Sequence, residues 1–228
     1  MHKVVIDNID LSKEFIISES KYPIYSQSNI YRESADNVSS FYKVTDNSKP
    51  VTFTLVKKDQ CMDSITLQQY MEVFVATKLK TKEPTWIEVD GRFMYAILHD
   101  VYDSEMYRGE VTVTFMNIPG KWYGVEKIVN LGTSFTLSGV EESTMGVITI
   151  TPSTTNPKVT HKNLHMTVSN ALTTSDITID LFRKRVTQVG LMSEIDIDSD
   201  FFKLDLGSNN ITPTNCTGMI KYREVLAL

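Results

Sequence analysis

The sequence predicts an all-β protein with one helix, divided into two domains. Short runs in which apolar and polar residues alternate recur along most of the chain, and a single segment has helical periodicity. Near residue 125 the composition shifts towards Thr, Ser and Asn. A chain of 228 residues can bury two separate cores. We therefore expect one domain over residues 1–125 and a second over residues 126–228.

The first domain should be a β-sandwich with one helix. Residues 51–57, VTFTLVK, alternate with period two, as a half-buried strand does. Between about residues 64 and 80 the apolar residues instead recur every three or four positions, and Asp63 or Ser64 can act as the N-cap. The apolar stripe of this helix fits either a core face or a partner-binding groove.

After the helix, Pro84 is followed by two β-rich runs on either side of Asp90-Gly91. Asp-Gly tolerates the positive φ angles of a type I′ turn, so a hairpin is predicted here. Residues 109–116, GEVTVTFM, alternate strictly and predict another strand, which ends before Pro119-Gly120. Beyond residue 125, closely spaced runs such as GVITIT, DITIDLF and GMIKYRE are typical of a second β-sandwich.

Charge and composition argue against several classes of function. The net charge of -5 comes with no basic cluster that could neutralise a phosphate backbone, so no nucleic-acid binding is expected. Apolar runs such as residues 93–98 are too short to cross a bilayer, and the first residues do not read as a signal peptide. Cys61 and Cys216 lack the spacing of a redox or disulfide motif and fit thiols in a reducing cytoplasm.

Two groups of residues resemble metal ligands only superficially. In EIDIDSD, residues 194–200, Asp196, Asp198 and Asp200 have EF-hand-like spacing, but Phe201 stands where that loop needs Gly and Gly207 where it needs Glu. We interpret these acids, with Glu194, as the water-facing side of a strand edge, where a weak adventitious cation site stays open. His161 and His165 are four residues apart in a strand-like segment, where they are too far apart to share a metal.

Catalytic and cofactor motifs were not found in the sequence. We therefore predict that the protein is not an enzyme and has no cofactor, although a spatially assembled site stays open. Trp86, Trp122 and Tyr123 could stack on a sugar, so a carbohydrate-binding module that contacts cell-wall glycans is the alternative function. Aromatic residues beside strand ends also serve as core plugs or interface anchors.

A protein interface is predicted in the loop expected over residues 31–49. It carries Arg32, Phe41 and Tyr42, residue types that are enriched in interface cores. The alternative, that Phe41 and Tyr42 begin a core strand, stays open.

Two stretches resemble the siphophage distal tail (Dit) protein family. In residues 83–124, Tyr95-Ala96, Phe115, Pro119 and Tyr123-Gly124 fill places of the family pattern. Near the end of the chain, SDFFKLDLGSNNIT followed by MIKYRE, within residues 199–224, is similar to a family strand, turn and final strand. The chain departs from many relatives in residues 30–50, which contain no Gly where a Pro-Gly loop is common.

The resemblance implies a structural hub of a phage or prophage tail tip. It implies a first domain that assembles into a homo-hexameric ring and a galectin-like second domain, in a short form without an arm or a carbohydrate-binding insertion. Expected partners are further copies of the chain, the tail tube protein, the tail-associated lysin or fibre protein, and receptor-binding or arm proteins. The expected location is the virion tail tip, after assembly in the bacterial host cytoplasm.

Overall fold

The structure is a computed structural model that describes residues 2–21, 27–33, 39–46, 48–59, 61–80, 83–142 and 146–226. Of residues 18–21, 27–33, 39–46, 103 and 104 it describes the backbone only. The chain forms two compact units, Met1–Trp122 and Tyr123–Ala227. We call them the first and the second unit.

In the residues that the structure describes, the first unit has nine strands. They are β1 Val4–Ile6, β2 Ile9–Asp10, β3 Phe15–Lys21, β4 Gln27–Glu33, β5 Ser39–Asp46, β6 Lys49–Lys57, β7 Thr85–Val89, β8 Arg92–Glu105 and β9 Glu110–Asn117. Seven of them form one antiparallel sheet in the order β2-β1-β7-β8-β9-β6-β3, and β4 pairs with β5 in a separate two-stranded sheet. Single 3₁₀ turns lie at Leu11–Lys13 and Met106–Arg108.

The hairpin predicted at Asp90-Gly91 is confirmed. Val89 pairs with Arg92 across a two-residue turn, and Asp90 and Gly91 have φ angles of 50° and 80°. Both angles lie in the left-handed region that a type I′ turn requires. The hairpin fixes the register of β7 and β8 near one edge of the sheet.

The predicted helix is confirmed as α1, Ser64–Phe74, which continues in a π-helical turn, Val75–Leu79. Asp63 is the N-cap, because its carboxylate accepts hydrogen bonds from the backbone N–H groups of Ile65 and Thr66. The buried face of the helix carries Leu67, Met71 and Phe74. Phe74 packs against Phe15 of β3 with the ring centroids 4.6 Å apart.

The core of the first unit lies between the helix and the seven-stranded sheet. Strand alternation places Val51, Phe53 and Leu55 of β6 in it, all less than 2% exposed. Trp122 also belongs to this core. The apolar stripe of the helix therefore faces the core of its own unit, as the first of the two interpretations predicts.

The described part of the second unit, residues 123–142 and 146–226, has eleven strands. They are β10 Lys127–Asn130, β11 Phe135–Leu137, β12 Gly146–Pro152, β13 Lys158–His161, β14 Leu164–Thr167, β15 Ile177–Asp180, β16 Arg185–Gln188, β17 Leu191–Met192, β18 Gly207–Asn209, β19 Ile211–Thr214 and β20 Cys216–Tyr222. A six-stranded sheet has the order β10-β20-β12-β15-β16-β17, and smaller sheets have the orders β14-β13-β19 and β11-β18.

The core of the second unit is built from residues of all three sheets. Ile148, Ile179 and Ile220 of the six-stranded sheet join Val159 of β13 and Leu137 of β11 in one cluster. Residues of facing strands interdigitate in this way when sheets pack into a sandwich.

The all-β fold with one α-helix, predicted from the sequence, is confirmed. In the described part of the chain, no helix has the length and apolar character needed to span a membrane.

Candidate functional site

The predicted interface residues lie on two paired strands. The prediction of a loop over residues 31–49 is therefore wrong. Arg32 is in β4, and Phe41 and Tyr42 are in β5. Phe41 pairs with Tyr31, and the register shifts between Ile30 and Tyr31. The side chains of Arg32, Phe41 and Tyr42 lie outside the described residues, and their interface role stays a prediction.

His161 and His165 lie on neighbouring strands, which corrects the single strand predicted for them. Lys162, with φ of 55°, turns the chain between β13 and β14, and His165 pairs with Thr160. Because directly paired residues share a face and the next residue points the other way, the two imidazoles lie on opposite faces. His161 is buried and its Nδ1 donates a hydrogen bond to the carbonyl of Asn210 at 3.1 Å.

The acidic segment, residues 194–200, is not the regular strand edge that its alternation predicts. Only Ile195 forms a β-bridge, to Val168, and the N–H of Ser199 turns back to the carbonyl of Asp196 at 3.0 Å. Ile197 is fully exposed. Alternation fails here because the segment forms no continuous ladder with a neighbouring strand. Its backbone groups bond singly to His165 and Thr167 of β14 and to Ser169 after it.

The acidic side chains are held by different neighbours. Glu194 accepts from the amide of Asn170 at 3.0 Å, Asp196 accepts from the hydroxyl of Ser169, and Asp198 lies 3.2 Å from Nε2 of His165. Across the described ranges, no three Asp, Glu, His or Cys side chains are grouped so that they could hold a metal ion.

A groove of about 530 Å³ lies beside α1, and Glu14, Tyr70 and Lys78 are among the residues that line it. Tyr70 donates a hydrogen bond to Glu14 there, and the ammonium of Lys57 lies 4.9 Å from the Tyr70 ring. Burial, followed by the hydrogen bond and charge of Glu14, raises the pKa of Tyr70 to about 12. At neutral pH this phenol is therefore a donor that ties helix to β-sheet, and a poor candidate for acid–base chemistry.

The two thiols are also held in their protonated form. The carboxylate of Asp59 raises the pKa of the exposed Cys61, and burial raises the pKa of Cys216. The thiolate is the nucleophilic form, so neither environment activates a cysteine.

The aromatic residues proposed for sugar binding are mostly core residues. Trp122 is 5% exposed and Tyr123 is fully buried. Trp86 is partly exposed and packs against Tyr95, with ring centroids 5.4 Å apart. A sugar platform needs an accessible aromatic face, and this arrangement favours the core-plug interpretation for Trp122 and Tyr123.

Comparison with known families identifies the second unit. Residues 139–225 match the family model described as the siphovirus-type tail component (Dit), C-terminal domain. The second unit is therefore similar to the C-terminal domain of the distal tail (Dit) family. The family model describes a component of siphovirus-type tails, in agreement with the resemblance seen in the sequence. No curated protein sequence matches the chain.

Solved structures extend the likeness in fold over both units of the chain. The SPP1 Dit protein (gp 19.1), described as a paradigm of the hub adsorption apparatus in phages that infect Gram-positive bacteria, aligns with a TM-score of 0.67 and 16% identity. The alignment covers 99% of each chain, so neither has a large insertion relative to the other. A chain of the phage P2 baseplate in its activated conformation aligns with a TM-score of 0.66 and 14% identity, over 100% of this chain and 98% of that one.

Sequence reasoning missed one exposed feature of the second unit. In RVTQVGLM, residues 185–192, the dipeptide Val189-Gly190 forms a hairpin turn and the apolar residues around it are exposed. A two-residue turn ending in Gly was the available signal, but Val is rare at its first position.

Proposed function

We propose that this chain is a distal tail (Dit) protein, that it is the hub of a tail tip, and that six copies close into a ring. The observation that carries the proposal is the likeness over the whole chain to the SPP1 Dit protein, which is described as a hub. A closed ring is the expected product when one surface patch meets a different patch on the next copy and the rotation closes.

The first unit would form the ring, and the β4–β5 hairpin is our candidate contact. Among the described strands, β4 and β5 pair only with each other. An isolated two-stranded hairpin is marginally stable in water, and packing against a neighbouring protein surface is one way to stabilise it. Placing Arg32, Phe41 and Tyr42 on this hairpin fits such a contact, because aromatic and Arg side chains are common anchors of interfaces.

The ring would join the tail tube protein on one side to the tail-associated lysin or fibre protein on the other. The second unit, as a galectin-like sandwich, would hold receptor-binding or arm proteins. The function is structural, without catalysis or a cofactor, and the ring would assemble in the bacterial host cytoplasm before it is built into the virion tail tip. The raised pKa values of Tyr70, Cys61 and Cys216 support a structural role, because they oppose activation of these groups.

The ring is tested by light scattering and electron microscopy of the purified chain, alone and co-expressed with the tail tube protein. We expect a ring whose mass is six times the 25.9 kDa of one chain in at least one of these conditions. Monomers in both conditions, at high protein concentration, would overturn the proposal.

The hairpin contact is tested by replacing Arg32, Phe41 and Tyr42 together with Ala. We expect the ring to dissociate, since the proposed anchors are removed. The matched control is Tyr107→Ala with Arg108→Ala, which removes an exposed Tyr and Arg elsewhere in the first unit. A ring that persists in the hairpin variant, with unchanged binding to the tail tube protein, would remove the hairpin from the interface while leaving the ring proposal intact.

A further inference from the structure

The end of the β16–β17 hairpin exposes several apolar side chains at the edge of the six-stranded sheet. Val189, Leu191 and Met192 are 67%, 73% and 70% exposed. Natural proteins usually protect sheet edges with charged residues or Pro, because an apolar edge promotes association. Leu191 and Met192 are consecutive in β17 and so lie on opposite faces of this edge, and Val189 lies in the turn. We therefore expect a partner that covers the edge in the assembled particle to contact all three.

The hairpin turn places a β-branched apolar residue, Val189, in a strained backbone conformation. Val189 has a φ angle of 51° and Gly190 one of 75°. Gly or Asn relieves the steric conflict at the first position of such a turn, whereas a β-branched residue increases it. The strain costs about 1–3 kcal/mol. Because Val189 is exposed, packing within the second unit does not offset this cost, and a contact outside the unit is one way to offset it.

Gln188 holds a fourth apolar residue beside the turn. Its side-chain carbonyl accepts a hydrogen bond from the N–H of Leu172 at 2.9 Å, and its amide donates to the carbonyls of Leu172 at 2.7 Å and Ser175 at 2.8 Å. Gln188 is 9% exposed, whereas Leu172 is 56% exposed. These bonds hold the backbone of Leu172 next to the hairpin before any partner binds, which lowers the entropic cost of binding. We call Leu172, Val189, Leu191 and Met192 the apolar tip.

The surface next to the apolar tip is negatively charged. Glu194, Asp196, Asp198 and Asp200 follow β17 directly. Among the ion pairs of the described residues, only Asp198 of these four forms one, with His165, and none of the four pairs with Lys or Arg. A polar depression of about 260 Å³ lies at the junction and is lined by Ser169, Asn170, Gln188, Met192, Ser193 and Glu194. Its acceptor oxygens suit a Lys or Arg side chain from outside.

We propose that the apolar tip and the adjacent carboxylates bind a segment of another tail protein in which apolar residues are flanked by Lys or Arg. The apolar side chains would supply the contact area, and the carboxylates would set the orientation and exclude partners without basic residues. A two-fold contact with a second copy is disfavoured, since it would bring the two acidic segments together. The inference rests on the proposed hub function, because it names the surface through which the second unit carries a partner.

Photo-crosslinking in assembled tails tests which protein covers the apolar tip. Benzoylphenylalanine at position 191 should crosslink to a different tail protein, within a segment that contains Lys or Arg near apolar residues. The matched control is the same substitution at Leu164, which is 41% exposed in β14 of the same unit and should not give this crosslink. Crosslinks to a second copy, to a segment without basic residues, or to no protein would each overturn the proposal.

Variants then separate this inference from the hub function. Leu191→Asp should lower binding of the crosslinked protein about tenfold or more, and Glu194→Lys with Asp196→Lys should weaken binding and reverse its dependence on salt. Both variants should form the same ring as the parent chain, because the tip is remote in sequence from the β4–β5 hairpin. Unchanged binding in both variants would overturn the inference, whereas a parent chain that never forms a ring would overturn the hub function.

Discussion

Single polar side chains hold the strand ends of the second unit together, and Glu224 is the clearest case. Its carboxylate accepts hydrogen bonds from the N–H and hydroxyl of Ser138 at 3.1 and 3.2 Å, and lies 2.8 Å from the ammonium of Lys127. Burial by itself would raise the pKa of Glu224. The hydrogen bonds from Lys127 and Ser138 outweigh it, so the pKa lies below its ordinary value of 4.5.

Glu224→Gln should therefore destabilise the protein in a pH-dependent manner. We expect a loss of about 1–2 kcal/mol at pH 7, where the ionised carboxylate makes charge-assisted hydrogen bonds. Because the pKa is lower in the folded state, this stabilisation is complete above the unfolded pKa and disappears as the pH falls through the folded pKa. Urea denaturation of both proteins at pH 7, 5 and 3 measures the difference.

The control for this series is Glu126→Gln. Glu126 is 40% exposed and lies 4.0 Å from Lys221 and Arg223, so its removal should cost less than about 0.5 kcal/mol. A Glu224→Gln difference that is constant from pH 7 to pH 3 would contradict the assignment of the effect to the ionised carboxylate.

At the scale of single elements, the packing of helix α1 against the sheet of the first unit can be tested by mutation. Phe74 is 6% exposed, whereas Val73, one residue earlier, is 60% exposed. Phe74→Ala should lower the free energy of unfolding by about 3–5 kcal/mol, since it leaves a cavity against Phe15. Val73→Ala is the matched control and should change stability by less than about 0.5 kcal/mol. Equal effects in urea denaturation would show that the helix does not pack as described.

The elements that sequence patterns predicted well are those whose structure is determined locally. The helix followed from its apolar spacing and the N-cap Asp63, and the β7–β8 hairpin from Asp90-Gly91. The acidic segment and the segment over residues 31–49 were predicted less well, because alternation and polar composition do not reveal which distant strand a segment meets. The apolar tip was missed for a related reason, since exposure of Leu191 and Met192 depends on β17 being an edge strand.

At the scale of the whole molecule, each unit has a separate apolar core, and we expect the two cores to respond separately to mutation. Phe115, 1% exposed, belongs to the core of the first unit, and Phe115→Ala should cost about 3–5 kcal/mol there. In the second unit, a Cβ at Gly218 would overlap the carbonyl oxygen of Thr149 on β12. Gly218→Ala should therefore push β20 and β12 apart at a cost of about 1–3 kcal/mol.

Hydrogen exchange measured by mass spectrometry shows whether the two units unfold separately or together. Gly218→Ala should reduce protection in peptides from residues 123–227 and leave β6 and β9 unchanged, and Phe115→Ala should do the reverse. Thr217→Ala is the control for Gly218→Ala, because Thr217 is exposed in the same strand. Loss of protection throughout the chain in both core variants would mean that the two units unfold as one cooperative body. The chain would then have two structural units but only one unfolding transition.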